Sequence, residues 1–186
     1  MYDISFWSVY YYSSMKTFLE KDTTGHWNTT PPVPAEKMNQ VNCHKFVLYA
    51  IGKISWEAMI SNPSEQQATG DDFTFGEKIR LISDLSYTTI KDEESLRGLA
   101  QKSCEIGKTY VGQVLDAQTG EMAHSFIIHR ESENKYTCFD KPGFKYSFEV
   151  SDLNTILNFV NKDGEQSNKN QKWRFIPFAS NEDPSK

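Results

Sequence analysis

Met122–Asp140 reads MAHSFIIHRESENKYTCFD, and the fold turns on it. The run Met122–Arg130, rich in Phe and Ile, passes through a polar connection, ESENK, into Tyr136–Asp140. Both flanks suit a pleated, half-buried surface, and the connection between them is polar. The pattern predicts an antiparallel hairpin centred on Glu133. Residues equidistant from that centre then face each other, Phe126 opposite Asp140 and His124 opposite Pro142. On this register His124 and Asp140 are diagonal neighbours on one face, about 7–8 Å apart at the backbone. Moving the centre by half a residue puts them on opposite faces.

Working outward, Thr109–Leu115 is strand-like, and the turn AQTGE leads into the hairpin. Lys141-Pro142-Gly143 is a turn signal. Phe144–Val150 alternates aromatic with polar residues, and Ser151 suits the N-cap of a helix over Asp152–Asn161. Lys172–Phe178 reads as a last strand. The N-terminal half is helical in character. In CHKFVLYAIGKI, residues Phe46, Val47, Ala50, Ile51 and Ile54 fall on one helical face, which opens near Asn42 and Cys43. Glu93–Ile106 is a second helix, with Leu96, Leu99, Ala100 and Cys104 on one side, and Phe75–Leu85 a third. The polar, Pro-rich stretch Asp22–Pro34 is a loop. The aromatic Phe6–Tyr12 is core or an interface strand. Helices first, then an antiparallel meander with a late helix and strand, make an α+β chain. The expectation is one domain over 1–186, with an aromatic segment and loop at 1–34 and a frayed tail at 179–186.

A length of 186 residues fits one domain with a core of its own. With 20 basic and 25 acidic residues, the formal charge is −5. That argues against a general nucleic-acid binder and against docking on anionic lipid. No apolar run approaches the roughly 18 residues of a membrane span. The start, MYDISFWSVYYYSSMKTFL, carries Asp3, lacks a basic n-region and shows no small-residue cleavage site, so no cleavable signal peptide is expected. Three cysteines are an odd number and read as reduced thiols. There is no internal repeat, and a monomer is the default.

Three residues carry the chemistry: Cys43, His124 and Asp140. Singly, each has a plain structural reading, as a small buried hydrophobe, a hydrogen-bonded core histidine and a turn-forming aspartate. Their joint placement carries more. Cys43 opens a helix, where unpaired N–H groups and a partial positive charge favour the thiolate, the attacking species. The same N–H groups can hold an oxyanion. If His124 meets Asp140, the carboxylate fixes the imidazole tautomer. The imidazole is then free to take the Cys43 proton and later to donate it to a leaving amine. Cys104 lies inside a helix face and Cys138 within a strand, without such help. His44 points about 100° away from Cys43 on a helix and reads as surface or structural. His129 has the opposite strand parity to His124, and His26 lies in the polar loop. A zinc site from Cys43, His124, Cys138 and Asp140 lacks any CxxC or HxxxH spacing. With no HExxH and no phosphate loop either, neither metal nor cofactor is expected.

The order Cys, His, Asp resembles the papain-like cysteine hydrolases. More narrowly it resembles bacterial effector peptidases of the YopT/AvrPphB type and the related effector glutamine deamidases. The matching segments are NCHKFVLYA, AHSFIIHR and YTCFDKPGFKYSFEVSDLNTILNF, spanning roughly Asn42–Phe159. The last resembles the family's pattern of an acid ending one strand before a turn, strand and helix. The family often has Asn after Asp-Pro, where this chain has Asp140-Lys141-Pro142-Gly143. It often has Gly before the Cys, where this chain has Asn42. The resemblance implies a papain-like fold, attack of Cys43 on an amide carbonyl, a thioester intermediate and transfer to water. It implies a protein substrate, secretion as an effector and action in a host cytosol. The papain family also has an oxyanion-hole amide before the Cys, and Gln40 is the first candidate here. A peptidase is the leading expectation. The alternatives are a glutamine deamidase, a peptidoglycan amidase, and an inactive interaction module on the same fold.

Overall fold

The computed structural model describes residues 23–24, 43–50, 86–117, 119–120, 122–141, 149–163 and 171–177. Among them are three helices and a six-stranded sheet, so the chain is α+β. In chain order they are α1 (Cys43–Ala50), β1 (Thr88–Ile90), α2 (Glu93–Ser103), β2 (Thr109–Leu115), β3 (Met122–Arg130), β4 (Tyr136–Asp140), β5 (Glu149–Ser151), α3 (Leu153–Asp163) and β6 (Gln171–Pro177). The sheet order is β1-β6-β2-β3-β4-β5, antiparallel throughout. After α3 the chain returns through β6, which lies between β1 and β2.

The β3–β4 hairpin has the register expected around Glu133. Ile127 faces Phe139, Ile128 faces Cys138, His129 faces Thr137 and Arg130 faces Tyr136. Pairing with β4 begins at Ile127, whereas β2 stays paired further along, Gly112 with Phe126 and Val114 with His124.

Both faces of the sheet are covered. Tyr110, Val114, Phe126, Ile128, Cys138, Trp173 and Phe175 form one core with Leu96 and Ala100 of α2 and with Leu153, Ile156, Leu157 and Val160 of α3. The alternate residues Val111, Ser125, Ile127, Phe139 and Ile176 point the other way and are buried as well. There α1 packs on β3, and its Phe46, Val47, Leu48 and Tyr49 are buried. Cover on both sides is why Phe126, Ile127 and Ile128 are consecutive apolar residues and all buried, where a strand with one wet face would alternate.

The helix ends depart from the sequence reading in two places. α2 stops at Ser103, and Cys104 is its extended cap, not part of its face. The Arg130 guanidinium takes the carbonyls that a longer helix would have used, bonding Gln101 O at 3.1 Å and Cys104 O at 2.6 Å. Ser151 belongs to β5, paired with Cys138, so it does not cap α3. Asp152 does so, its Oδ1 accepting from the Thr155 N–H at 2.8 Å and from the Thr155 hydroxyl at 2.9 Å. The short β1 was not expected. The Phe6–Tyr12 segment, the Phe75–Leu85 helix, most of the Asp22–Pro34 loop, Gln40, His26 and residues 178–186 lie outside the described residues.

Arg130 also bonds Ser132 O at 3.2 Å and Glu133 O at 3.1 Å, and lies over the Tyr136 ring at 5.6 Å. One side chain thus ties the end of α2 to the hairpin turn. Arg130→Met keeps much of the apolar stem and removes every donor. Leaving the buried Cys104 carbonyl unserved is expected to cost about 2–3 kcal/mol. The check is a lower urea midpoint at unchanged slope. An unchanged midpoint means that water replaces the guanidinium.

Candidate active site

Cys43 is the first residue of α1 and is partly exposed. His124 lies on β3, 4% exposed, and Asp140 ends β4, 2% exposed. All three sequence candidates come together. His124 Nε2 lies 2.8 Å from Asp140 Oδ1. The two atoms are off hydrogen-bond alignment, so the contact acts mainly as a buried ion pair. With Nε2 turned to Asp140, Nδ1 is the nitrogen left for Cys43.

Packing fixes the imidazole plane. His124 stacks on Phe126 with centroids 6.1 Å apart and meets Phe159 of α3 at 5.1 Å. Phe126 is held edge-on by Trp173 and Phe175. It also lies over Gly112, where an added Cβ would come closer than 3.0 Å to three of its ring carbons. A glycine at 112 is therefore what lets the Phe126 ring, and His124 upon it, lie flat against β2.

Charge sets the protonation states. Although the residue is partly exposed, its sulfur is enclosed by protein, and that burial by itself would push the Cys43 thiol up. The positive charge of His124, then that of His44, and hydrogen bonds from both rings outweigh it and bring the thiol down to about 5. Burial likewise opposes a charge on His124. The Asp140 carboxylate first and Cys43 next overcome that and raise the imidazole to about 10. Each charge favours the other, which draws the pair toward thiolate and imidazolium. The other two cysteines differ. Burial pushes Cys104 up to about 12, and burial with nearby Asp140 pushes Cys138 well above its ordinary value.

Two residues of the site were not recognised as such in the sequence. His44, read from the sequence as surface or structural, is buried and not on the surface, with Nδ1 2.8 Å from Ser125 Oγ, and its charge acts on Cys43. Lys141 is 1% exposed, and its charge interacts with Cys43 and Asp140 while burial pulls its ammonium down. Its place in a Lys-Pro-Gly turn signal gave no hint of burial. His129 faces away from His124 as its parity requires, with Nδ1 2.9 Å from Thr109 Oγ1. Among the described residues no cluster of three His, Cys, Asp or Glu is arranged to hold a metal ion. No described helix is long and apolar enough to cross a membrane. Comparison with known proteins finds no matching family model, curated protein or solved structure.

Proposed function

We propose that the chain is a thiol hydrolase acting on an amide bond of a protein substrate, with Cys43 as nucleophile, His124 as general base and acid, and Asp140 as the group that orients and charges His124. The observation that carries this reading is the buried His124–Asp140 pair at 2.8 Å, with Cys43 opening α1 where the His124 charge draws its thiol below the ordinary value. A nucleophile, a base within reach of it and a third group orienting the base are the parts that acyl transfer needs.

In the proposed cycle the Cys43 thiolate adds to the carbonyl carbon and the carbonyl pair moves to oxygen. The imidazolium of His124 then gives its Nδ1 proton to the departing amine, leaving a thioester. Water, deprotonated by the now neutral His124, attacks the thioester and releases the acid, and the thiolate returns. A papain-like arrangement fits this order, with a cysteine opening a helix and the His and Asp on neighbouring strands of an antiparallel sheet. The assignment to effector peptidases working in a host cytosol rests on the three motif segments alone.

The test is alkylation of the folded protein with iodoacetamide, mapped by mass spectrometry, together with intact-mass analysis of candidate protein substrates. Cys43 is expected to react alone at neutral pH, with Cys104 and Cys138 silent until unfolding. Peptide cleavage marks a peptidase, and a gain of about 1 Da without cleavage marks a deamidase; Cys43→Ser abolishes either. A Cys43 no faster than the other two thiols would sink the proposal.

A further inference from the structure

Two aromatic rings meet the imidazole of His124, and they come from different parts of the fold. Phe126 lies on the same strand, fully buried and held by Trp173 and Phe175. Phe159 comes from α3 and is only partly buried; its ring centroid is 5.1 Å from that of the imidazole, with the planes inclined by 57°. A tilted pair at that distance is within the favourable range for two rings. The His124–Asp140 contact at 2.8 Å is off hydrogen-bond alignment. Such a contact holds the two charges together and sets the ring angle only weakly. The angle of the imidazole therefore depends on what packs against it.

Local structure explains how Phe159 reaches this place. β5 pairs Glu149 with Asp140 and runs almost directly into α3. Asp152 fixes where the helix starts, through its bonds with Thr155. Leu153, Ile156, Leu157 and Val160 form the buried stripe. Phe159 stands at the margin of that stripe, about two turns beyond the cap. α3 packs on both β3 and β4. One continuous segment, from Glu149 to Phe159, thus pairs with the strand end that bears the carboxylate and lays a ring on the imidazole.

We infer that Phe159 is a positioning residue: its ring holds the His124 imidazole at the angle that serves Asp140 and Cys43 together. The inference rests on reading His124 as the base for Cys43. Phe159 acts through His124 and moves no proton. Without its ring the imidazole is free to turn about the Cβ–Cγ bond, and a displacement of about 1 Å at a reacting group costs up to roughly a hundredfold in rate. The ionisable groups acting on His124 are Asp140 at the end of β4 and Cys43 at the start of α1, so a ring turned aside weakens both pairings.

The test compares wild type, Phe159→Ala, Phe159→Leu and Leu157→Ala by two readouts on the intact protein. The first is the order parameter of the His124 Cε1–H bond, from carbon relaxation in NMR. The second is the pH midpoint of Cys43 exchange with a small aromatic disulfide. In Phe159→Ala the order parameter is expected to fall from about 0.85 to below about 0.6. The midpoint is expected to rise by about one pH unit, because the His124 charge no longer faces the sulfur steadily. Phe159→Leu refills most of the space and is expected to stay close to wild type in both. Leu157→Ala removes a buried side chain from the same helix and is expected to lower the thermal midpoint while leaving both readouts in place. If Phe159→Ala does not fold, Phe159→Val carries the same expectation at smaller amplitude. An imidazole as well ordered in the truncated variant as in wild type overturns the positioning role. So does a loss of order that Leu157→Ala reproduces in full, since that loss belongs to the helix as a whole. A wild-type Cys43 midpoint near the ordinary 9.0, with the imidazole loosened by truncation as described, sinks the hydrolase reading and leaves the positioning of His124 by Phe159 standing.

Discussion

Replacing His124 by alanine is expected to carry the pH midpoint of Cys43 reactivity from about 5 back toward the ordinary thiol value of 9.0. The direction follows from the balance at the sulfur. Burial, the largest influence, opposes the thiolate, and the His124 charge is the chief influence overcoming it; His44 remains in the variant and offsets part of the burial. The rate profile changes in shape as well as position. In exchange with a disulfide, a more basic thiolate is intrinsically faster, by about 0.4–0.5 log units per pKa unit. The variant is therefore slower than wild type at pH 6 and below and faster in alkali, and the two curves cross. A substitution that only loosens the pocket speeds the reaction at every pH and leaves the midpoint near 5. Asp140→Asn tests the other limb. Asp140 is the main group raising His124, so the upper limit of the thiolate–imidazolium pair falls from about 10 toward 6.5. Hydrolysis is expected to drop by roughly 10²- to 10⁴-fold.

The second large effect is expected at Gly112. A methyl group there collides with the face of the Phe126 ring, which is fully buried and already edge-packed by Trp173 and Phe175. The ring is not the free end of a flexible chain, so the collision is relieved only by moving core residues or splaying β2 from β3. Overpacking of this kind costs about 3 kcal/mol. For a chain of this size that lowers the thermal midpoint by roughly 6–12 °C. Gly112→Ala paired with Phe126→Leu should recover part of the loss, because the smaller side chain vacates the contested space. The shifts are read by calorimetry. A Tm within 1 °C of wild type, on the order of the usual error, would show that the strands part without penalty.

The sequence was most legible where spacing is rigid. A five-residue polar connection between two apolar runs predicts the register of the β3–β4 hairpin, and with it the meeting of His124 and Asp140. Strand parity likewise sends His129 to the other face. What the sequence did not show depends on contacts between distant segments. The burial of His44 comes from Ser125 on a strand far along the chain. Lys141 sits in a turn signal, and nothing in its neighbours predicts an ammonium enclosed beside Cys43. α2 ends early because Arg130 captures its last carbonyls, a choice made across the fold and invisible to helical periodicity. β1 is three residues long, two of them exposed, too short to leave a pattern.

The docking of α1 onto β3 has a consequence for biosynthesis. Cys43 leaves the ribosome well before the hairpin that carries its base and its carboxylate. His124 and Asp140 belong to one local turn and can find each other quickly, whereas the thiol must be brought to them by long-range closure of α1 onto β3. Until that last docking the nascent chain carries a thiol close to its ordinary 9.0 and almost wholly protonated at neutral pH. On the proposed reading of Cys43 as nucleophile, reactivity arrives with completion of the tertiary structure, and a chain released short of Asp140 is expected to show only the reactivity of an ordinary thiol.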